Sequence, residues 1–372
     1  MRTDWRLIFL LFLAGLFAAA QFAKIALTLE PLAEVFPSQP LPFAVSALSV
    51  GGIFFGVIAG MVVARFGPRR VLLFALGVAA VLSFAQGVLP SFHVFMGLRL
   101  LEGLSHLAIV VAAPTLMAVV SAPKDVPVAM GLWGTFFGVG FAGTAAIIPF
   151  LGGPSSVYVA HGGFGLALML ALWPLLPKLG AREPLSGSIL ARHVAIYSNP
   201  RLFAPAMGFL WHTIMFLGLL TFLPRFLGEW TAPVLPLLAL VGTFGAGWLA
   251  KYVTPRSILL AGFGLTIVGF ALALLINSDL RLWVVIALLV VIGLVPGASF
   301  ANVPALNSDS ADQARANGAI AQLGNIGTAT STPLFAAVAA GGFAGVAWTA
   351  MVISAVGAVL VWLIHKRIAK SA

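Results

Sequence analysis

Apolar runs of about twenty residues follow one another along almost the whole chain, broken only by short clusters of Pro, Gly and charge. A helix needs a run of about that length to cross the roughly 30 Å hydrocarbon core of a bilayer, at a rise of about 1.5 Å per residue. Hydrophobic residues make up 61% of the 372 positions and charged residues only 8%, against about 25% charged in a typical soluble protein. Too little charge remains to cover a water-facing surface of that size. Disordered, collagenous, disulfide-scaffold and nucleic-acid-binding folds are excluded on the same ground. At about 30 residues per span and connection, the chain has room for about twelve membrane helices.

Pro, Gly and charge bound the expected spans at 7–29, 42–64, 71–90, 94–120, 127–151, 155–176, 202–227, 232–250, 257–277, 282–305, 315–340 and 343–364. The first follows Arg2 and Arg6 and contains Ala18-Ala19-Ala20, a small-residue stretch of the kind that ends a signal peptide. Its apolar run continues to Leu29, so it is read as a retained helix. Arg65, Arg69 and Arg70, then Lys124, then Lys178, Arg182, Arg192 and Arg201 fall on connections two spans apart. Lys251 and Arg256, Arg315, and the tail Lys366, Arg367 and Lys370 continue the series. The intervening connections carry at most Arg225 and Arg281. This is the asymmetry of a protein with an even number of spans and both termini cytoplasmic, and a bacterial inner membrane fits the minimal loops. It also accounts for the net charge of +10 without a nucleic-acid partner. With no Cys in the chain, disulfides, thiolate metal sites and cysteine nucleophiles are excluded.

The longest polar stretch, 177–201, reads as a cytoplasmic linker between a six-helix half at 1–176 and another at 202–372, with a short interfacial helix over Ile189–Tyr197. An internal repeat supports the halves. With residue n beside n+187, Gly60, Pro68, Arg69, Leu72 and Leu73 coincide with Gly247, Pro255, Arg256, Leu259 and Leu260. The same offset pairs Gly131 with Gly318 and Gly140 with Gly327. Six spans repeated in one orientation are a transporter signature, with substrate held near the midplane between the halves.

The stretch from Gly60 to Arg70 resembles the helix 2–3 signature of the major facilitator superfamily, Gly-x-x-x-Asp-Arg-x-Gly-Arg-Arg/Lys, and the resemblance extends over essentially the whole chain. Gly60, Arg65, Gly67 and Arg69 match it. Ala64 stands at the acidic position and Pro68 at the first basic position of the pair. In the family that acid helps latch the cytoplasmic ends of the halves; the second copy has Lys251 there. Arg99-Leu-Leu-Glu102-Gly103 is similar to the family's Arg-x-x-x-Gly pattern in helix 4. Gly134 to Gly143 resembles the antiporter pattern of helix 5, with Val139 where its proline should be, which weakens a drug-efflux reading. The resemblance implies an all-α fold of twelve spans, a cavity lined by helices 1, 4, 7 and 10, and moving contacts made by helices 2, 5, 8 and 11.

Ionisable side chains cost about 2.5–3.5 kcal/mol each at the bilayer centre on insertion scales, so each needs a reason. Gln21, Lys24 and Thr28 form one stripe on helix 1, and Arg99, Glu102 and His106 another on helix 4, both spaced i, i+3, i+7. Lys24 has two readings, a cavity cation or a stem snorkelling to the outer surface. Glu102 is either a structural partner of Arg99 or Lys24, or a proton-carrying carboxylate. His212 on helix 7 is a second proton-coupling candidate. His161 reads as a peripheral packing residue. Asn302, Gln322 and Asn325 are candidates for hydrogen bonds to substrate or between helices. Gly60, Gly134 and Gly138, with Arg65, Gly67, Arg69, Lys251 and Arg256, are the gating candidates.

No catalytic, metal or cofactor motif stands out; a phosphate loop for ATP is absent. The expected function is secondary transport of a small solute by a monomer. The excess of Lys24, Arg99, His106 and His212 over Glu102 favours a small anion, with protons as the coupling ion. The alternatives are efflux of hydrophobic compounds, suggested by 29 Phe, and an intramembrane transferase using Glu102 and His106.

Overall fold

The computed structural model describes residues 2–178, 188–232, 234–276 and 278–370; Arg182 and the middle of the 177–201 linker lie outside the described residues. Every regular element among the described residues is helical. In chain order they are α1 (Trp5–Ala26), α2 (Leu29–Val35), α3 (Pro42–Phe66), α4 (Pro68–Gly87), α5 (Phe92–Val119), α6 (Val126–Gly134), α7 (Phe136–Ile147) and α8 (Pro154–Leu175). The linker contributes α9 (Ile189–Ser198). Then come α10 (Pro200–Phe222), α11 (Pro224–Leu227), α12 (Val234–Leu249), α13 (Pro255–Leu275), α14 (Ser278–Leu306), α15 (Ser310–Val338) and α16 (Gly342–Lys370).

Nine helical stretches among the described residues are long and apolar enough to cross a membrane, ten when α6 and α7 are taken together. The last of the nine, Ser310–Lys370, holds both α15 and α16, and the shorter α12 is also apolar. Taken singly, these helices coincide with the twelve expected stretches, most ends shifting by a few residues.

Local chemistry sets the ends. Proline opens α3, α4, α8, α10 and α13, where its missing N–H is one that a helix start leaves unpaired anyway. The Asp4, Asn199 and Thr254 side chains accept from Leu7, Arg201 and Ser257 N–H groups, capping α1, α10 and α13. A single residue, Gly67 at φ 83°, joins α3 to α4. Only glycine enters that region without strain, which explains its place in the signature.

The expected continuous span at 127–151 is instead broken at Thr135, where α6 and α7 meet at a 46° bend. Gly134 and Gly138 flank the break, and the Thr135 hydroxyl donates back to the Leu132 carbonyl at 2.7 Å. Glycine weakens the helix, and hydroxyl back-bonding bends it. The two pieces then pack differently, α6 on α12 and α14, α7 on α1.

The chain forms two compact units. The first contains 1–122, 136–191 and 309–322; the second contains 123–135, 192–308 and 323–372. In the second, Phe270, Leu289, Ile292, Phe335 and Val346 share one buried apolar cluster. Inside each unit a pair of glycines lets two helices touch. A Cβ on Gly318 of α15 would stand 2.9 Å from the Gly60 Cα of α3, and one on Gly247 of α12 would stand 2.5 Å from the Gly131 Cα of α6. Both pairs are mates under the 187-residue offset, Gly60 with Gly247 and Gly131 with Gly318.

Candidate functional site

The two polar stripes read from helices 1 and 4 meet inside the first unit. α1 runs against α5, and the Lys24 ammonium lies 2.7 Å from Glu102 Oε1. Glu102 Oε2 accepts from Arg99 Nη1 at 2.5 Å and from Gln86 Nε2 of α4 at 2.8 Å. The three charged residues are at most 1% exposed. Lys24 therefore does not snorkel: its stem runs inward, and its charge is met inside the bundle. Both structural partners considered for Glu102 are present at once.

Lys24 also donates to Ser83 Oγ at 2.9 Å and faces His161 Nδ1 at 3.4 Å, with the Tyr158 ring 4.8 Å away. The ammonium's three hydrogens thus have three acceptors. His161 Nε2 lies 3.1 Å from the Phe17 carbonyl, which can only accept, so that nitrogen carries the proton and Nδ1 is the acceptor. The Ser83 hydroxyl donates to the Tyr158 carbonyl at 2.8 Å. His161 was expected to be a peripheral packing residue; it instead stacks on Phe17 at 4.1 Å and closes the site from α8. Ser83 and Gln86 on α4, and Tyr158 and His161 on α8, were missed as a group. The signal was the i, i+3 polar spacing already used for helices 1 and 4.

Arg99 is held by the Ala44 carbonyl at 3.1 Å and the Gln21 carbonyl at 3.0 Å, while its Nη2 has no hydrogen-bond partner. Gln21 and His106 form the next layer. His106 Nδ1 donates to the Ala18 carbonyl at 3.0 Å and to Gln21 Oε1 at 3.1 Å, and Gln21 Nε2 approaches Ser105 Oγ at 3.4 Å. His106 is only half-buried, and its ring meets Phe22 edge-on at 5.0 Å. Phe137 of α7 stands 5.6 Å from Phe22.

The remaining candidates lie elsewhere. His212 is buried in the second unit, stacked on Phe216 at 4.9 Å, with Nδ1 unpartnered. Asn302 donates to His365 Nε2 at 3.2 Å, joining α14 to α16. Gln322 donates to the Ile53 carbonyl of α3 at 2.7 Å. Asn325 is half-buried on α15. The Arg69 guanidinium donates to the Trp173 and Leu176 carbonyls at 2.8 and 3.1 Å, capping α8. Arg65 lies over the Phe66 ring at 5.6 Å, and Lys251 stands 3.8 Å from Asp125. Gly134 faces the Thr243 methyl, with 2.6 Å left for a Cβ; Gly138 and Arg256 are half-buried.

The cluster thus holds two cations against one carboxylate. Removing such groups from water is expensive, and only close pairing with further hydrogen bonds offsets the cost. Its chemistry is electrostatic and protonic: a fixed carboxylate, an ammonium in reach of an imidazole lone pair, and one positive charge in excess.

A helical bundle with a buried charge cluster among its membrane spans has the makings of a solute carrier, and the comparisons identify its class. The model of the Major Facilitator Superfamily matches residues 7–232. The chain belongs to this superfamily and is a multi-pass membrane transporter. No curated protein sequence matches it. Among solved structures, it is similar to a variant of the Escherichia coli fucose:proton symporter FucP, with TM-score 0.75, 14% identity, 96% of this chain covered and 98% of that one. The proton:xylose symporter XylE bound to 6-bromo-6-deoxy-D-glucose gives TM-score 0.73 and 15% identity over 96% and 95% of the two chains. The human organic anion transporter MFSD10 (TETRAN) gives 0.71 and 17% over 97% and 100%. The TM-scores establish the shared fold, and at these identities the likeness extends to the fold alone.

Proposed function

We propose that the protein moves a small anion by alternating access, coupled to protons, with halves 1–176 and 202–372 rocking about a midplane site. The observation that carries this reading is the buried cluster of Lys24 and Arg99 around a single Glu102. Its excess positive charge acts through a low-dielectric interior, where it attracts an anion more strongly than it would in water. The half-buried His106 is the group of this cluster that meets the solute, backed by the buried Gln21, and the sealed Lys24–Glu102–His161 set carries the coupling proton. MFSD10 is an organic anion transporter and FucP and XylE are proton symporters by their descriptions, which is in keeping with both parts. The basic connections support cytoplasmic termini, and minimal loops suit a cell inner membrane. One chain supplies both repeats, so a monomer suffices.

The test is thermal stability of the purified protein against small carboxylates, inorganic phosphate, neutral sugars and lipophilic cations, since a ligand of the folded state raises Tm. The expected result is a concentration-dependent rise with an anion that is lost in His106→Gln and in Lys24→Gln. Rises with sugars alone would overturn the anion assignment. Rises with lipophilic cations alone would favour efflux, in line with the Phe22, Phe137 and Phe141 rings grouped beside His106.

A further inference from the structure

α9 turns its apolar side outward. Leu190 is 72% exposed and Val194 55%, with Ala191 and Ala195 exposed on the same face, while Ile196 is buried and Arg192, His193 and Tyr197 are half-buried. An apolar ridge of this kind facing water forfeits roughly 25 cal/mol for each Å² left wet, whereas a bilayer interface takes it up. Residues 188–201 and 355–370 contain no Asp or Glu, yet supply Arg192, Arg201, Lys366, Arg367 and Lys370.

Between the end of α9, the start of α10 and the end of α16 lies an open pocket of about 380 Å³, lined by Tyr197, Ser198, Pro200, Phe203, Ile364 and Arg367. Its chemistry is divided. Arg367, the Tyr197 phenol and Ser198 offer donors, while Pro200, Phe203 and Ile364 form an apolar wall. Burial pushes the Tyr197 phenol up to about 12, so it remains a donor at neutral pH. Its ring is braced by Phe203 at 5.3 Å and His193 at 5.1 Å. A free hydrated anion gains nothing from an apolar wall, but an amphiphile fills both parts.

We propose that this pocket seats the phosphate headgroup of an anionic phospholipid, in the leaflet on the side of the basic loops. Arg367 pairs with the phosphate, Tyr197 and Ser198 donate to its oxygens, and the acyl chains run along Phe203 and Ile364. Guanidinium–phosphate pairs are among the stronger charge-assisted contacts, and basic clusters beside membrane helices draw anionic lipid. Leu190 and Val194 enter the same interface, so the bound lipid fastens the linker helix to the bilayer. The site is independent of what the transporter carries.

The test uses the full chain, delipidated in a neutral detergent, with melting followed against phosphatidylglycerol, phosphatidylcholine or inorganic phosphate. The expected result is a rise of several degrees with phosphatidylglycerol, at most half of it with phosphatidylcholine, and none with phosphate. Arg367→Gln should remove at least half of the phosphatidylglycerol-specific rise and Tyr197→Phe a smaller share. Lys124→Gln, on a different basic connection, should leave it whole. Arg367 is exposed, so its variant should fold with an unchanged baseline. Equal rises with both lipids, an unaltered rise in Arg367→Gln, or an equal loss in Lys124→Gln would overturn the site. A rise reproduced by phosphate alone would overturn the lipid as its occupant.

Discussion

The helix pair α4–α5 and the pair α13–α14 are the same structure built with opposite interiors. Under the 187-residue offset their ends agree within about a residue: Pro68–Gly87 with Pro255–Leu275, and Phe92–Val119 with Ser278–Leu306. Ser83 then corresponds to Phe270, Gln86 to Ala273, Arg99 to Ile286 and Glu102 to Leu289. Phe270, Ala273 and Leu289 are fully buried in the apolar core of the second unit. The second pair shows that these helices pack without charge. The ion cluster is therefore no requirement of the fold. It remains despite a desolvation cost, and that supports a role in transport.

Removing one charge should break the comparison most severely. Glu102→Leu copies the residue of the second pair into a site that still holds Lys24 and Arg99. Two unpaired buried cations should destabilise the protein by about 3–5 kcal/mol, read as a large fall in Tm or loss of folded protein on size-exclusion chromatography. A fall no greater than that of a surface substitution would mean that water reaches the cluster. The triple variant Lys24→Met, Arg99→Ile, Glu102→Leu goes further and makes the first interior resemble the second. It should regain most of the lost stability, because apolar replacement of a whole buried ion cluster is often neutral or better. It should nonetheless fail to transport in liposomes. A stable triple variant with full transport would remove the cluster from the mechanism.

The same comparison explains what the sequence disclosed. Spans, repeat and family were legible because each depends on local signals: apolar length, Pro and Gly at ends, and charge on alternate loops. The meeting of Lys24 with Glu102 was legible too, since antiparallel helices carried the two stripes to one depth. His161 was not, because a lone imidazole carries no sign of its partners. They come from 78 to 144 residues away, Ser83 at the near end and Phe17 at the far end. Nor was the break at Thr135 visible in hydropathy, because both pieces are apolar; Gly134, the Thr135 hydroxyl and packing against different helices separate them.

Where the repeat is kept rather than broken, its two copies should respond alike. Gly247→Ala places a Cβ 2.5 Å from the Gly131 Cα, and Gly60→Ala places one 2.7 Å from the Ala314 carbonyl oxygen. Backbone has no rotamer with which to yield, so each should cost about 1–3 kcal/mol by overpacking. Paired melts of the two variants make the check. A cost at one crossing alone would mean that only that crossing is closed in the folded protein.

The smallest effect concerns the charge beside those crossings. Lys251 at the end of α12 stands 3.8 Å from Asp125 at the head of α6, with 31% and 14% of their side chains exposed. Their mates under the offset are Ala64 and Asp312. Lacking a cation at 64, Asp312 turns to Arg315 of its own helix at 2.8 Å. One crossing thus carries an ion pair between helices and the other a pair within a helix. A partly exposed pair of this kind is worth about 0.2–1 kcal/mol. Lys251→Ala and Asp125→Ala, with the double variant, should yield a coupling energy in that range that fades at 1 M salt, where the Debye length is about 3 Å. Ala64→Lys should raise Tm by a similar amount if it draws Asp312 away from Arg315, and Ala64→Lys with Asp312→Ala should lose that gain. Absence of coupling in the first cycle would leave close packing, the Gly131–Gly247 contact included, to fasten α6 to α12. Neither crossing would then draw on an ion pair between helices, and the asymmetry in charge would carry no energy.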